Sequence, residues 1–165
     1  MTKQKTFSLR VERTILAKRD DVFRAWITPE LLKQWLHAGE GWTTPVAEMD
    51  VRVGGSFRWG IRGPDGGTFY EVGEFVDIAP PERLVYTCRF EDDEVDFEMP
   101  KDETIVRVDF AEVPGGTKVT LVSDGYSKAS ERDDHQNGWP GFLANLALLV
   151  ERNARPTSTS TREAR

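Results

Sequence analysis

The order of hydrophobic periods along the chain is the feature that most constrains its fold. One alternating strand comes first, two short helices follow, then about six alternating strands, and finally one long helix with an apolar face that ends near Arg152. Strand alternation is explicit in Phe57, Trp59 and Ile61. A curved antiparallel sheet covered by a single helix tends to enclose a hollow, so the pattern predicts an interior cavity.

Length and composition predict one domain over residues 1–152. The 165 residues, 38% hydrophobic and 10% aromatic, are enough for a substantial core. Residues 153–165 are rich in Ser, Thr and Arg and contain no large apolar side chain. We therefore expect this C-terminal tail to be disordered.

Charge and cysteine content argue against several classes of partner. The formal net charge of -6 disfavours nucleic acid and anionic membranes, which both reward clustered Lys and Arg. No segment resembles a signal peptide or an apolar run of membrane-spanning length. The lone cysteine, Cys88, excludes an intrachain disulfide and is predicted to be a small buried residue. These features favour a cytoplasmic location.

Local sequence signals predict where the first strand and the two short helices lie. The first strand is predicted at 7–15 and a short helix at 20–27. A second helix is predicted to start at Thr28 with a side-chain cap, followed by a proline and a carboxylate, and to end near Leu36.

Turn signals separate the later strands. The sequences PDGG at 64–67 and PGGT at 114–117 predict hairpins, and the prolines at 80–81 predict a corner between strands. The glycine pair at 54–55 predicts a bend or bulge within a strand-like stretch. The acidic stretch at 91–103 predicts a projecting, solvated loop.

Five segments together resemble a known family. They are AWITPELLKQW at 25–35, DVRVGGSFR at 50–58, PPERL at 80–84, GGT at 115–117, and GW at 138–139 followed by Leu143. In this order and with these gaps they are similar to the heat-shock protein 90 ATPase activator homologue group, within the START-like (SRPBCC) superfamily. The resemblance covers roughly residues 8 to 152.

The resemblance implies an α+β helix-grip fold. Its features are a seven-stranded curved antiparallel sheet wrapped around a long C-terminal helix, with two short helices between strands 1 and 2. The period pattern leads independently to the same architecture. One departure is Pro140, which removes a backbone hydrogen bond inside what is often continuous helix in relatives. We expect the helix either to start at Trp139 or to kink.

Catalytic and metal-binding signatures are missing from the sequence. It contains no G-x-S-x-G, H-E-x-x-H, paired C-x-x-C or phosphate-binding G-x-x-x-x-G-K motif. The two histidines, His37 and His135, lack the carboxylate spacing that a zinc site would need. We therefore expect no cofactor, no metal and no catalytic residue. His37 is predicted to face solvent, whereas His135 precedes the predicted cavity entrance and is otherwise a surface or capping residue.

Aromatic and aliphatic side chains on the inner faces are the predicted ligand-binding set, although they could also form a plain core. The candidates are Trp35, Phe57, Trp59, Tyr70, Glu74, Tyr86, Phe90, His135, Trp139, Phe142, Leu143 and Leu146.

Strand parity suggests a polar group for this cavity. In the strand at 69–78, the face that contains Tyr70, Val72 and Glu74 has more apolar positions, so it is predicted to point inward. Glu74 would then lie among hydrophobic residues, where burial raises a carboxyl pKa. A one-residue bulge would instead return Glu74 to solvent.

Three functions remain open at this stage. The first is a non-enzymatic protein that binds a small apolar or aromatic molecule, in which an exposed edge strand could support a homodimer. The second, implied by the family resemblance, is activation of the heat-shock protein 90 ATPase, in the context of a stress response. The third is a cyclase, hydrolase or isomerase that uses Glu74, Tyr86 or His135 as acid or base, which fold analogy alone does not establish.

The tail yields a first prediction. Truncation after Arg152 should leave the thermal unfolding midpoint unchanged, because residues 153–165 contain no large apolar side chain that could anchor them. Differential scanning calorimetry of the full and truncated chains checks this, and a drop of several degrees would show that the tail docks on the domain.

Overall fold

The protein forms seven strands and three helices in the computed structural model, which describes residues 6–37, 39–92 and 102–154. In chain order they are β1 (Phe7–Ile15), α1 (Arg19–Ile27), α2 (Pro29–Trp35), β2 (Thr43–Met49), β3 (Ser56–Arg62), β4 (Thr68–Ala79), β5 (Arg83–Asp92), β6 (Thr104–Val113), β7 (Gly116–Tyr126) and α3 (Ala129–Ala154).

The strands form one antiparallel sheet in the order β1-β7-β6-β5-β4-β3-β2. Each strand from β2 to β7 pairs with the next one along the chain, and β1 crosses to pair with β7. The helix α3 packs against β1 and β7. The helices α1 and α2 contact α3 and also the sheet, α1 at β6 and β7 and α2 at β2. The predicted helix-grip architecture is therefore confirmed. β1 and β2 are the sheet edges, and dimerisation through either edge stays a prediction.

The predicted turns connect the expected strands. The hairpins at 64–67 and 114–117 join β3 to β4 and β6 to β7, and the prolines at 80–81 lie between β4 and β5. Gly66 and Gly115 have φ values of 91° and 83°, which side chains rarely adopt. The glycines at 54–55 lie in the turn between β2 and β3 rather than within a strand.

The two short helices are held together by an indole hydrogen bond. Trp35, predicted as a ligand contact, donates from Nε1 to the carbonyl of Ala25 at 2.9 Å, and its ring lies 4.7 Å from that of Trp26. Thr28 occupies the N-cap position of α2, but its side chain makes no capping hydrogen bond, contrary to prediction. Its backbone carbonyl instead accepts from the amide of Leu32 at 2.8 Å.

The long helix starts earlier than the sequence predicted. α3 begins at Ala129 and contains Pro140, so a start at Trp139 is wrong. Pro140 has no N–H for the carbonyl one turn earlier, and its side chain is exposed. The helix continues to Ala154, so the prediction that the disordered tail begins at residue 153 is wrong for residues 153–154. The predicted disordered tail beyond residue 154 and most of the predicted acidic loop, residues 93–101, lie outside the described residues.

Hydrogen bonds fix both ends of α3 to β1. Near its N-terminus, Arg132 donates from Nη1 to the carbonyl of Ser8 at 2.9 Å. Near its C-terminus, Glu151 accepts from the amide of Leu16 at 2.9 Å. Between these points, Trp139 is 9% exposed and stacks on Trp26 with ring centroids 6.2 Å apart.

Trp139 yields the second prediction. Substitution of Trp139 by Ala should lower the free energy of unfolding by roughly 3–5 kcal/mol, because it removes a buried indole that joins α3 to α1. The matched control is Leu148→Ala on the same helix, where the side chain is 69% exposed and little change is expected. Urea unfolding followed by circular dichroism gives both values, and equal stabilities for the two variants would contradict the packing role of Trp139.

Candidate functional site

Three inward-facing side chains form a row across β3, β4 and β5. Trp59 of β3 pairs directly with Glu71 of β4, and Glu71 pairs directly with Phe90 of β5. Directly paired residues of antiparallel strands lie on the same face of a sheet. A carboxyl group therefore lies between two aromatic side chains on the buried face.

Glu71 is a buried acid with a weak partner. Its side chain is 6% exposed, and the thiol of Cys88 donates to its Oε1 at 3.5 Å. Burial raises the pKa of Glu71 to about 7, and the thiol hydrogen bond opposes part of this rise. Burial also raises the pKa of the Cys88 thiol, so the sulfur stays protonated and unreactive at neutral pH.

Trp59 carries a buried donor without an acceptor. The residue is fully buried, stacks on Phe57 at 4.1 Å and meets the edge of Tyr86 at 5.5 Å. Its Nε1 has no hydrogen-bond partner in the part of the chain that the structure describes. Buried polar groups normally have a partner, and an unpaired one costs roughly 1–3 kcal/mol.

A second polar group links the sheet to α3. The hydroxyl of Tyr126 lies 2.9 Å from the hydroxyl of Ser123 and 3.0 Å from Nδ1 of His135. Burial lowers the pKa of His135 to about 4, so the imidazole is neutral at pH 7. The His135 ring also meets Phe90 at 5.2 Å, which brings it next to the row on the sheet.

We define the interior polar site as Trp59, Glu71, Cys88, Phe90 and His135. Its outer margin is less enclosed than its centre, because Phe90 and His135 are only partly buried. Phe142 of α3 is partly buried as well and contacts Trp139 at 5.3 Å. The carboxyl of Glu71 thus lies behind a margin of partly exposed rings.

Comparison with known proteins identifies the family. A family model described as "Activator of Hsp90 ATPase homolog 1-like protein" matches residues 16–151. The chain belongs to this family. Among curated proteins, none matches the sequence.

Solved structures of this Hsp90-activator-homologue-like family share the fold. A Chromobacterium violaceum protein is 30% identical, with 87% of this chain and 96% of that chain covered and a TM-score of 0.77. A solution structure described as an AHSA1-like protein from Aeromonas hydrophila is 29% identical, with 89% and 94% covered and a TM-score of 0.75. The assignment supports a ligand-binding or co-chaperone-type role and does not distinguish the two.

Two predicted contacts lie on the outer face of the sheet. Glu74 is exposed, so the prediction that it points into the cavity is wrong. Tyr70 packs under the guanidinium of Arg58, 3.8 Å from its ring centroid, and is only half-buried. The acid that points inward on β4 is Glu71. An acid–base mechanism through Glu74 loses its support with this correction.

A bulge explains part of the error in strand parity. The β4–β5 register shifts between Phe75 and Asp77, where β4 has one extra residue. Strict alternation would place Ile78, an odd number of positions from Phe75, on the outer face, but the extra residue returns it to the buried side. The sequence signal for the correct face was aromatic size, since Phe69 and Phe75 bury more area than valine. Val72 is buried on the other face, between Arg58 and Arg89 of the neighbouring strands.

The remaining predicted residues are on the inner side of the domain. They are Phe57, Trp59, Tyr86 and Phe90 from the sheet, and His135, Trp139, Phe142, Leu143 and Leu146 from α3. Phe57, Trp59 and Tyr86 contact one another, with ring centroids 4.1 to 5.5 Å apart. Ligand contact by any of these residues stays a prediction. Sequence reasoning did not find Glu71, Ser123 or Tyr126, and treated Cys88 as an apolar residue.

The described residues contain neither a metal-ligand cluster nor a helix that could span a membrane. Within 6–37, 39–92 and 102–154, no group of three or more His, Cys, Asp or Glu side chains could hold a metal ion. No helix in the same ranges is both long and apolar enough to cross a membrane.

Glu71 yields the third prediction, on pH and stability. Its pKa is about 7 in the folded chain against 4.5 ordinarily, so the folded state binds the proton more tightly and stability falls as pH rises through this window. Between about pH 5 and about pH 9, the native chain should lose roughly 3 kcal/mol of unfolding free energy relative to Glu71→Gln.

Glu74→Gln is the matched control on the same strand. Because Glu74 is exposed, this variant should keep the pH profile of the native chain. The depressed pKa of His135 lowers stability as pH falls from about 6.5 towards about 4, but this contribution is common to all three proteins and cancels. Urea unfolding across the pH range gives the profiles, and parallel curves for the native chain and Glu71→Gln would refute the assignment.

Proposed function

We propose that this protein binds a small, mostly apolar molecule at the interior polar site. The observation that carries the proposal is the direct pairing, on the inner face, of the buried Glu71 with Trp59, whose buried N–H has no acceptor among the described residues. Ligand sites combine apolar walls with a few polar groups that orient the ligand. This arrangement has both features.

The packing of α3 supports this location. The helix α3 packs on β1 and β7 rather than on β3 and β4, where Trp59 and Glu71 lie. Phe90 of β5 and His135 of α3 contact each other beside this part of the sheet, with their rings 5.2 Å apart. A ligand that separates these two partly exposed rings would reach Glu71 without disturbing the sheet ladder.

The energetics also favour a binding role. A buried carboxyl whose hydrogen bond comes from a thiol stabilises a core less than an apolar residue of similar size would. Stability is commonly sacrificed at sites where a protein needs polar groups for function. The buried Glu71 carboxyl on β4 and the buried Trp59 indole N–H on β3 are polar groups of this kind.

The fourth prediction tests occupancy with a probe. The uncharged fluorescent dye 6-propionyl-2-(dimethylamino)naphthalene should bind the folded protein saturably and with one-to-one stoichiometry. Cys88→Met adds volume beside Glu71 and should weaken dye binding by about tenfold or more, equivalent to ~1.4 kcal/mol. Fluorescence titration with circular dichroism as the fold check gives the result.

The control is Arg89→Met, the next residue on β5, which is exposed. This variant should bind the dye like the native chain. Amide chemical-shift mapping on the native protein adds a measurement that does not depend on variant stability, and the shifts should centre on Glu71 and Cys88. Dye binding that is unaffected by Cys88→Met, with shifts elsewhere, would rule out this site.

A further inference from the structure

The hydrogen-bonding groups of the interior polar site restrict the chemistry of its ligand. Resting on the proposed function, we infer that the site selects an uncharged ligand whose polar end is a hydrogen-bond-accepting oxygen, such as a ketone or amide carbonyl, received by the Trp59 indole N–H beside the Glu71 carboxyl. The two residues occupy directly paired positions on the inner face. Both side chains are more than nine-tenths buried.

The indole carries the first step of the argument. An indole N–H can only donate a hydrogen bond, so its partner must be an acceptor. In the described residues Trp59 Nε1 has none. An oxygen of the ligand would remove this unpaired donor, whereas an ammonium group offers no acceptor and a hydrocarbon leaves the donor unpaired.

The charge of the surroundings excludes an anionic ligand. In the described ranges, the buried polar and charged residues are Thr44, Glu71, Thr104, Thr117, Ser123 and Glu131. None of them is Lys or Arg, so no buried cation would compensate a carboxylate or phosphate. Burial of an anion beside Glu71 would cost desolvation free energy and would also place it next to the acidic side chain of Glu71.

A cationic ligand is disfavoured by Glu71 itself. A cation would need the ionised carboxylate as its partner, but burial opposes ionisation and raises the pKa of Glu71 to about 7. In its protonated form the carboxyl has an O–H that can donate a second hydrogen bond to the same ligand oxygen. A carbonyl oxygen has two lone pairs and can accept from both donors.

The tyrosines, the thiol and the imidazole around Glu71 do not ionise with it near neutral pH. From β5, burial raises the pKa of Tyr86 and Cys88, and from β7 it raises that of Tyr126. From α3, the buried acid Glu131 interacts electrostatically with Tyr126, and the pKa of His135 is lowered to about 4. Ligand affinity should therefore fall as Glu71 ionises above neutrality.

Four naphthalene probes of similar size test the inference. They are 2-acetylnaphthalene, 2-ethylnaphthalene, 2-naphthoate and 2-naphthylmethylammonium, titrated into the ¹⁵N-labelled native protein. At about pH 6, the ketone should bind about three- to tenfold more tightly than the hydrocarbon, and both charged probes should bind more weakly than the hydrocarbon. The ketone alone should shift the indole signal of Trp59, identified through Trp59→Phe, to lower field.

The pH dependence gives a second readout. Between about pH 6 and about pH 8.5, the ketone affinity of the native chain should fall by roughly tenfold or more, while that of 2-ethylnaphthalene changes little. Glu71→Gln keeps a donor and cannot ionise, so its ketone affinity should be independent of pH, and Glu74→Gln should behave like the native chain. The pH dependence of ketone affinity in the native chain tests the role of the Glu71 carboxyl even if Glu71→Gln fails to fold.

Each other outcome overturns a defined part of the argument. Equal affinity for ketone and hydrocarbon would retain the binding function and refute the selection for oxygen. Tightest binding of the carboxylate or the ammonium, or an unmoved Trp59 indole signal with bound ketone, would refute the inference as well. Failure of all four probes to bind would refute both the inference and the proposed function.

Discussion

The attachment of α3 to the edge strand β1 is the constraint on which the rest of the structure depends. Arg132 and Glu151 form hydrogen bonds to the backbone of β1 near the two ends of the helix. A helix is about 10 Å wide, so one helix cannot cover seven strands. The strands distant from β1 bury their inner face with their own long side chains and, at β2, against α2, and the interior polar site lies among them.

The imidazole of His135 is uncharged at neutral pH, and the carboxyl of Glu71 is uncharged below it. The neutral imidazole of His135 is paired with the Tyr126 hydroxyl, which in turn is paired with Ser123. Burial raises the pKa of Glu71 to about 7, and the hydrogen bond to its carboxyl comes from the Cys88 thiol. An interior of this kind holds several hydrogen-bonding groups without the large desolvation cost of buried charge. It is suited to recognising polarity rather than charge.

Much of the fold could be predicted from the sequence, because it rests on periods and turns. The alternation in β3, β5 and β6 and the helical spacing in α3 are local signals that burial in the structure confirms. The start of α3 could not be predicted in this way. The helix passes through Gly138 and Pro140, whose poor intrinsic helix propensity is overridden by packing of the residues around them, such as Trp139.

The candidate site was less predictable because it depends on which face of β4 is buried. Glu71 and Glu74 differ by three positions in a strand where alternation is interrupted by a bulge, so a count of apolar residues gave the wrong acid. The decisive quantity is buried volume. Phe69 and Phe75 fill more volume on the inner face than the valines of the opposite face could. Val72 lies outside the main core, where its arginine neighbours bury it. Because Glu71 lies between Phe69 and Phe75 on the inner face, the side-chain volume that folds the sheet also forces the carboxyl into the core. The same packing that stabilises this domain thus places an acid in its interior.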